Sequence, residues 1–356
     1  TYKEKVGTSV VNYAGTYPGA VDGELWYDST NKNFNYQYPN VTTSGSWATT
    51  GSLNQARNQL ASAGQAPRAT SLVFNGFNNP TKYAQTELFN GSSWTELNDL
   101  NAGRAAAFGF GISTAAVTAG GYNGPPGDIA ITETWNGTNW TEVNDMNTGR
   151  YGGGSAGLLT GGLAFGGFST PPSVRQAKTE TWNGTNWTEV NDLNTAKNEG
   201  GSCGATNTAA LQFGGTTGSI TGTTESWNGT NWTEVNDLNT ARVGLAGAGN
   251  YTSALAFGGN EPATSAKTEE WNGTNWAETT DLNTSRAYLT GSGSQSAAMA
   301  AGGQRPASSP SNQAVAELWT GAGVPVGGWA TGGNMNTARS TPRMGGNQTA
   351  ALAFSG

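Results

Sequence analysis

The residues that most often carry catalysis or bind metals are scarce in this sequence. It has 356 residues, no histidine and one cysteine, Cys203. Histidine is the commonest general base and metal ligand in proteins, so its absence removes most hydrolytic and metal-dependent mechanisms. A cysteine nucleophile also needs a nearby base, and Cys203 lies in a run of small residues, GSCGAT, that indicates a buried position. We therefore expect a protein that is not an enzyme and that has no cofactor and no metal site.

Acidic and basic residues recur at fixed positions along the chain. A glutamate stands two residues before an aromatic residue at Glu24, Glu87, Glu133, Glu180, Glu225, Glu269 and Glu317. A basic residue follows further on at Arg57, Arg104, Arg150, Lys197, Arg242, Arg286 and Arg339. A ring of carboxylates or an anion site is one interpretation, but catalytic groups seldom need so many copies. The pattern favours structural ion pairs that hold loops in place.

An aspartate also recurs, at Asp99, Asp145, Asp192, Asp237 and Asp281. Aspartates could bind Ca²⁺ together with loop carbonyls, but the dense spacing of oxygen ligands in a calcium loop is missing. Aspartate is common in turns because its side chain bonds to nearby backbone amides. The series therefore favours turns over a calcium site.

These positions belong to an internal repeat. The segment TETWNGTNWTEVND occupies residues 132–145 and recurs unchanged at 179–192. The second tryptophan of each copy falls about 45–50 residues after the last, at Trp47, Trp94, Trp140, Trp187, Trp232, Trp276 and Trp329. The first aromatic position is occupied by Trp26, Phe89, Trp135, Trp182, Trp227, Trp271 and Trp319. All 13 tryptophans thus lie in two columns, which predicts seven repeats.

Each repeat has the pattern of short β-strands. Runs such as ETW and NWTEV alternate polar and apolar residues, and Asn136–Gly137 between two of them is a strong hairpin signal. Four short strands in a repeat of this length are typical of a β-propeller blade. The order Gly166–Gly167, Trp182, Trp187, Leu193 and Lys197 resembles the kelch repeat.

The resemblance implies an all-β fold, a seven-bladed kelch-like β-propeller over residues 24–356. Residues 24–49 contain only an outer strand pair and residues 341–355 only an inner pair. We therefore expect the N-terminal outer strands to pair with the C-terminal inner strands in a closing blade. Closure removes the open sheet edges that invite aggregation.

Residues 1–23 precede the first repeat and are expected to form an N-terminal arm that anchors the protein. Candidate anchoring and assembly residues in this arm and in the long connection after it are Tyr2, Tyr13, Tyr17, Phe34, Tyr36 and Tyr38. The chain has a net charge of −7 with only 12% charged residues, which argues against nucleic acid as a partner. No apolar run approaches the length of a membrane helix, so we expect no membrane insertion.

The part of the repeat that varies is the connection between the second and third strands. These connections occupy residues 77–85, 122–130, 168–178, 260–267 and 304–316. A constant scaffold with variable loops on one face is typical of binding proteins. Candidate ligand or receptor contacts in these loops are Phe77, Tyr83, Tyr122, Phe168, Arg175 and Arg305. The alternative is that the loops are tolerated surface variation.

The N-terminal stretch YPGAVDGELWYDSTNKNFNYQYPN at residues 17–40 looks like a short module of tail-fibre and other structural proteins of tailed phages. Together with the LNTAR and LAFGG repeats, it resembles kelch-like virion proteins of marine phages. The resemblance implies a tail fibre, appendage or decoration protein on the exposed surface of a virion that adsorbs to a host. Its expected partners are other virion proteins, a host surface glycan or receptor, and further copies of the chain.

Three alternatives remain open. The first is a secreted or cell-surface bacterial kelch-like adhesin or glycan-binding module. The second is an intracellular kelch adaptor, which requires a partner domain. The third is an enzyme that hydrolyses host polysaccharide.

Overall fold

The computed structural model describes residues 11–13, 25–36, 44–124, 127–305, 311–322, 343–347 and 350–354. The chain forms two compact units. One consists of residues 44–321, and the other combines residues 1–43 with residues 322–356.

In the smaller unit, three N-terminal strands form one sheet. They are β1 (Val11–Tyr13), β2 (Leu25–Asp28) and β3 (Asn33–Tyr36). Strand β2 lies in the middle, parallel to β1 and antiparallel to β3. Residues 25–28, which the sequence pattern places in a propeller blade, therefore belong to a separate sheet.

In the larger unit, the described residues form six four-stranded antiparallel sheets, the blades of a propeller. Blade 1 contains β5 (Ala61–Ser62), β6 (Leu72–Phe74), β9 (Thr86–Phe89) and β10 (Trp94–Glu96). Blade 2 contains β11 (Phe108–Ile112), β12 (Ala115–Ala119), β13 (Thr132–Trp135) and β14 (Trp140–Val143). Blade 3 contains β15 (Gly154–Leu158), β16 (Gly161–Phe165), β19 (Thr179–Trp182) and β20 (Trp187–Val190).

The other three blades repeat this order. Blade 4 contains β21 (Gly201–Thr206), β22 (Ala209–Phe213), β23 (Thr224–Trp227) and β24 (Trp232–Val235). Blade 5 contains β25 (Ala246–Asn250), β26 (Ser253–Phe257), β27 (Thr268–Trp271) and β28 (Trp276–Glu278). Blade 6 contains β29 (Thr290–Ser294), β30 (Ala297–Ala301), β31 (Ala316–Thr320) and, as its fourth strand, β4 (Ser46–Thr50).

Three smaller elements accompany the blades. Two loop hairpins lie between the second and third strands of blades 1 and 3: β7 (Phe77–Asn78) with β8 (Thr81–Lys82), and β17 (Phe168–Ser169) with β18 (Val174–Arg175). A short 3₁₀ helix, η1, spans Arg68–Thr70. In the smaller unit, β32 (Arg343–Asn347) and β33 (Ala350–Phe354) form a two-stranded sheet.

A cycle of backbone hydrogen bonds closes the ring at its centre. The N–H of Ala106 donates to the carbonyl of Gln59 at 2.9 Å, and that of Gly152 donates to Ala106 at 2.8 Å. The series continues through Glu199, Gly244 and Tyr288, whose carbonyl accepts from Gln59 N at 2.8 Å. We call these six residues the axial ring. Since each is contributed by the start of a different blade, the cycle fixes the blade number at six.

The prediction of seven blades is therefore wrong. It treated Trp47 and Trp319 as parts of different units, whereas they lie opposite each other on β4 and β31 of the same blade. The apparent extra unit combined Trp26 of β2, which lies in the smaller unit, with Trp329. Both Trp329 and Arg339 lie outside the described residues.

The expected closing blade is corrected in the same way. An N-terminal outer strand does close the ring, but it is β4 alone, and it pairs with β31. The inner strands of that blade are β29 and β30. The inner pair expected at residues 341–355 is instead the separate β32–β33 sheet.

Tryptophans hold neighbouring blades together. The ring of Trp140 in blade 2 packs against Phe74 in blade 1, with centroids 4.9 Å apart, and its indole N–H donates to Thr86 Oγ1 at 2.8 Å. The same contacts recur at Trp187 with Phe110 and Thr132, Trp232 with Phe165 and Thr179, Trp276 with Phe213 and Thr224, and Trp47 with Phe257 and Thr268. Each of these five interfaces thus combines buried aromatic area with a satisfied indole N–H.

The first strands of the blades approach one another around the central axis. Glycine is required where they meet. A Cβ on Gly247 would lie 2.5 Å from the carbonyl oxygen of Ser202, and one on Gly291 would lie 2.5 Å from that of Gly247. Both positions adjoin backbone of the preceding blade, so a side chain there would push the strands apart.

Candidate functional site

The variable loops and the connections between blades lie at the same end of the strands. The first residue of each loop forms a β-bridge with the residue after the repeated basic position, as in Asn58 with Phe77, Ala105 with Tyr122 and Tyr151 with Phe168. Equivalent bridges place Thr216, Asn260 and Gln304 in blades 4, 5 and 6. The loops of blades 1 to 3 therefore present aromatic side chains at a position where blades 4 to 6 present polar ones. We call this end of the propeller the loop face.

On the loop face, aromatic rings and cations form a continuous series. Lys82 Nζ lies 5.5 Å from the ring centroid of Phe77 and 5.2 Å from that of Tyr122. The ring of Tyr122 lies 5.6 Å from Tyr151, which lies 5.8 Å from Phe168. The guanidinium carbon of Arg175 is 5.9 Å from the Phe168 ring. We call Phe77, Lys82, Tyr122, Tyr151, Phe168 and Arg175 the aromatic row.

The side chains of the aromatic row are all half-buried, so their backbones are anchored while part of each ring faces solvent. The hairpins β7–β8 and β17–β18 hold its two ends, since Phe77 pairs with Lys82 and Phe168 pairs with Arg175. Cation–π attraction adds to this order. The row is therefore a preorganised surface that spans three blades.

Four of the six predicted contact residues, namely Phe77, Tyr122, Phe168 and Arg175, lie in this row. Tyr83 is half-buried beside it, and its carbonyl accepts from the backbone N–H of Arg104 at 3.1 Å. Arg305 lies in the equivalent loop of blade 6, where its N–H donates to Ser311 O at 2.7 Å. Of the predicted anchoring residues, Tyr13, Phe34 and Tyr36 lie in strands of the smaller unit, and Tyr2, Tyr17 and Tyr38 lie outside the described residues.

The axial ring forms the mouth of a central channel on the loop face. Its side chains and the next residues, among them Leu60, Leu245 and Leu289, line a cavity of about 100 Å³. The Tyr288 hydroxyl reaches past blade 5 and donates to Glu199 Oε2 at 3.2 Å. Gly244 leaves the space for this, because a Cβ there would lie 3.1 Å from the Tyr288 ring.

Burial dominates the electrostatics of this mouth. It raises the pKa of Glu199 above its ordinary value of 4.5, against the opposing effects of the Tyr288 hydrogen bond and of Arg175. Burial, followed by the charge of Glu199, raises the pKa of Tyr288 to about 12. The same two causes raise the pKa of Tyr151. The mouth thus disfavours negative charge.

We predict that Glu199→Gln makes the protein more stable at neutral pH. Since the folded-state pKa of Glu199 is raised, the native state binds more protons than the unfolded state above pH 4.5, and stability falls as pH rises through the folded pKa. The amide removes this penalty but can still accept from Tyr288. Thermal unfolding from pH 4 to 8 should show the variant gaining on the parent as pH rises. A difference that is independent of pH would contradict the assignment.

Below the mouth, the channel continues as a cavity of about 140 Å³ with a wall of glycine, alanine and serine. Serine hydroxyls cross between blades: Ser62 Oγ donates to Gly291 O at 2.7 Å and Ser155 Oγ to Gly109 O at 2.8 Å. Gln65 extends from blade 1 to blade 4, where its Nε2 donates to Gly204 O at 3.1 Å. Cys203 also lines this wall; it is buried, and burial raises the pKa of its thiol.

The repeated charged residues lie within the scaffold, not on the loop face. Arg57 and Glu87 form a buried ion pair at 3.0 Å, and Arg242 and Glu269 form one at 2.9 Å. Equivalent pairs join Arg104 with Glu133, Arg150 with Glu180, Lys197 with Glu225, and Arg286 with Glu317. The second carboxylate oxygen accepts from the connection between blades, as when Glu180 Oε2 binds Asn147 N at 2.7 Å. Each ion pair therefore fixes the connection that enters a blade to the third strand of that blade.

The repeated aspartates also bond locally. Asp145 Oδ1 accepts from Thr132 N at 3.2 Å, and Asp192, Asp237 and Asp281 accept equivalently from Thr179, Thr224 and Thr268. In the described ranges, no three His, Cys, Asp or Glu side chains come together as a metal site would require. No helix within the described part of the chain is long and apolar enough to cross a membrane.

Lys82, Tyr151, Glu199 and Tyr288 were missed by sequence reasoning. Three of them lie within the connection between blades, which was treated as uniform because LNTAR repeats. For Glu199 and Tyr288, the sequence signal is the variation at the second position after the repeated basic residue. The residues there are Gln59, Ala106, Gly152, Glu199, Gly244 and Tyr288. These residues all have a positive φ, from 51° to 66°, a conformation that glycine favours and tyrosine and glutamate rarely adopt. A bulky residue in such a column therefore stands out from the repeat.

Comparison with known proteins identifies the architecture. No known protein family matches the sequence, and no curated protein matches it. Among solved structures 305 chains match. One of them, described as "Structure of YjhT", has a TM-score of 0.63 and covers 75% of this chain and 95% of its own. The chain folds as a β-propeller. At 11% sequence identity this likeness concerns the fold of the propeller alone. The loop face of the present chain has to be interpreted from the residues of this chain.

Proposed function

We propose that this propeller is a non-enzymatic binding protein that recognises glycans with the aromatic row of its loop face. The observation that carries the proposal is the series of three half-buried aromatic rings in contact, Tyr122, Tyr151 and Phe168, which Lys82 extends to the ring of Phe77. The electron-rich face of an aromatic ring attracts the polarised C–H groups on the flat face of a sugar. Several rings in series suit a chain of sugars better than a single small molecule.

The chemistry of the row favours binding over catalysis. Phenyl and phenol rings with one lysine and one arginine can hold a sugar chain. Hydrolysis of a glycosidic bond ordinarily uses two carboxyl groups on either side of the scissile bond. Two carboxyl groups act on Tyr151 of the row, and both accept hydrogen bonds from the protein: Glu199 from Tyr288 and Asp128 from Thr170.

We further propose that the setting is the exposed surface of a tailed phage particle, where the protein serves as a structural and host-recognition component. This part rests on the resemblance of residues 17–40 and of the kelch-like repeats to virion proteins. Partner virion proteins, a host surface glycan and additional copies of the chain belong to the same proposal. Immunogold labelling of purified particles tests it, and labelling confined to host cell surfaces would favour the bacterial adhesin instead.

Glycan binding predicts a specific effect of Tyr151→Ala. Tyr151 lies between Tyr122 and Phe168, so its removal interrupts the row. Loss of one stacked ring should weaken binding about tenfold, which corresponds to about 1.4 kcal/mol. The measurement is titration against the oligosaccharides that bind best on a glycan array.

Tyr251→Ala is the matched control. Tyr251 is 46% exposed and lies in a turn at the other end of the strands, between β25 and β26. The same truncation there should leave affinity unchanged. Equal losses at Tyr151 and Tyr251, or no loss at either, would contradict the proposed binding surface.

A further inference from the structure

The two cations of the aromatic row, Lys82 and Arg175, differ from most basic residues in the described part of the chain. The ion pairs of the described residues include neither Lys82 nor Arg175. In contrast, the repeated basic residues of the scaffold pair with glutamates, and the more exposed Lys178 and Lys267 do so as well. Arg68 also lacks an ion pair among the described residues, but it donates to Trp319 O and Thr320 Oγ1 of the scaffold. Unpaired cations stand out in a chain whose net charge is −7.

The two cations are also held in place. Lys82 lies between the rings of Phe77 and Tyr122 at one end of the row. At the other end, Arg175 stacks over Phe168 while its Nε donates to Asn198 Oδ1 at 3.1 Å. The Nη atoms of Arg175 and the Nζ of Lys82 make no hydrogen bond within the described part of the chain. Their strongest donors are therefore available to a ligand.

The nearby carboxylates have bonds of their own. Asp128 Oδ1 accepts from Thr170 N at 2.5 Å and from its Oγ1 at 3.1 Å. Glu199 Oε2 accepts from Tyr288. Both carboxylates lie close to the row, since their charges raise the pKa of Tyr151. Neither of them forms an ion pair with Lys82 or Arg175 among the described residues. The outward-facing donors at the ends of the row are thus cationic.

We propose that the row selects acidic glycans, with the sugar rings stacked on Tyr122, Tyr151 and Phe168 and an anionic substituent bound at Arg175 or Lys82. This inference rests on the proposed glycan binding and adds the class of ligand. The planar guanidinium of Arg175 suits a carboxylate or sulfate that accepts two parallel hydrogen bonds. Lys82 supplies a point charge that tolerates different anion geometries. The aromatic faces give stacking without regard to charge, so the two cations determine the preference.

The test compares sugars that differ only in charge. Suitable pairs are oligogalacturonate and its methyl ester, sialyllactose and the methyl ester of its sialic acid, and a sulfated galactan oligosaccharide and its desulfated form. We expect the acidic member of at least one pair to bind at least tenfold more tightly than its neutral counterpart. Its affinity should also fall as NaCl is raised from 50 to 500 mM, because the cations are partly exposed.

Variants assign the preference to residues. Arg175→Met and Lys82→Met keep an apolar stem over the aromatic ring and should reduce the ratio of acidic to neutral affinity, with the double variant losing it. Arg175→Lys keeps the charge but loses the paired donors, so a partial preference should remain. Lys267→Met removes one charge from blade 5 and is the control. Thermal unfolding confirms that each variant is folded.

The outcomes separate the two proposals. If neutral and acidic members bind equally and Arg175→Met changes nothing while Tyr151→Ala still weakens binding, the row binds glycans without selecting charge, and this inference is wrong. If no member of any pair binds at millimolar concentration, both this inference and the proposed glycan binding are contradicted. A charge preference that survives in the double variant would place the anion site elsewhere and also overturn the inference.

Discussion

A chain of residues 52–321 is expected not to form the closed ring, whereas a chain of residues 44–321 is expected to fold. The two differ only by β4 and the residues beside it. All six blade sheets lie within residues 44–321, so the longer chain keeps every strand of the propeller. The shorter one leaves blade 6 with three strands and exposes the edge of β31.

The expected loss of stability is large because β4 makes contacts on several sides. Its Trp47 lies opposite Trp319, packs against Phe257 at 5.0 Å, and donates from its indole N–H to Thr268 Oγ1 at 3.1 Å. Its carbonyl accepts from Asn283 Nδ2 at 3.0 Å. Truncation of a buried tryptophan alone costs about 3–5 kcal/mol, which is comparable with a large part of the stability of an ordinary domain.

The measurement is the heat-unfolding transition and the association state of the two chains. We expect a cooperative transition and a monodisperse species for residues 44–321, and aggregation or a broad, low-temperature transition for residues 52–321. A synthetic peptide of residues 44–51 added to the shorter chain should restore the transition, since it supplies the missing strand in trans. A shorter chain that unfolds like the longer one would contradict the role of β4 in closure.

The error in blade number has a physical origin. Repeat counting assumes that each copy of a motif is a unit, yet one blade of a closed ring is assembled from both ends of the repeat array. Trp319 and Trp47 are far apart in sequence and adjacent in space, so counting assigned them to two units and filled the remaining places with Trp26 and Trp329. The strands and the hairpin turns depend on local spacing, and the sequence pattern predicted them well.

Prediction of the site from sequence is also limited by contacts that lie between repeats. Variable loops pointed to Phe77, Tyr122, Phe168 and Arg175 because insertion loops stand out against a repeat. Tyr151 could not be found that way, since it lies beside an arginine of the repeated column, and only the β-bridge between the blade connection and the loop brings it to Phe168. Contacts between blades depend on the register at which the connection meets the loop, which no single repeat contains.

Arg150→Met is expected to destabilise the propeller by about 3–5 kcal/mol, the cost of leaving one buried charge without its partner. Arg150 and Glu180 are fully buried. Besides the carboxylate, the guanidinium binds the carbonyls of Gly166 at 3.0 Å and Ala164 at 3.1 Å. Burial lowers the pKa of Arg150, and the negative charge of Glu180 opposes that effect. Each buried charge therefore offsets the cost of burying the other. Without the arginine, the donors to Glu180 among the described residues are the backbone and side-chain amides of Asn147.

Two further variants distinguish loss of the pair from loss of volume. Adding Glu180→Gln to Arg150→Met removes the orphaned charge and should recover part of the stability, because a neutral amide costs less to bury. Lys178→Met breaks the exposed pair with Glu189, whose side chains are 34% and 49% exposed, and should cost about 0–1 kcal/mol. Urea unfolding of the parent, these variants and the Glu180→Gln single variant measures these differences. If the double variant loses as much stability as its two single variants combined, the two buried charges do not stabilise each other. The connection between blades would then be held by the backbone hydrogen bonds of Asn147 and by packing of the aliphatic part of Arg150 instead.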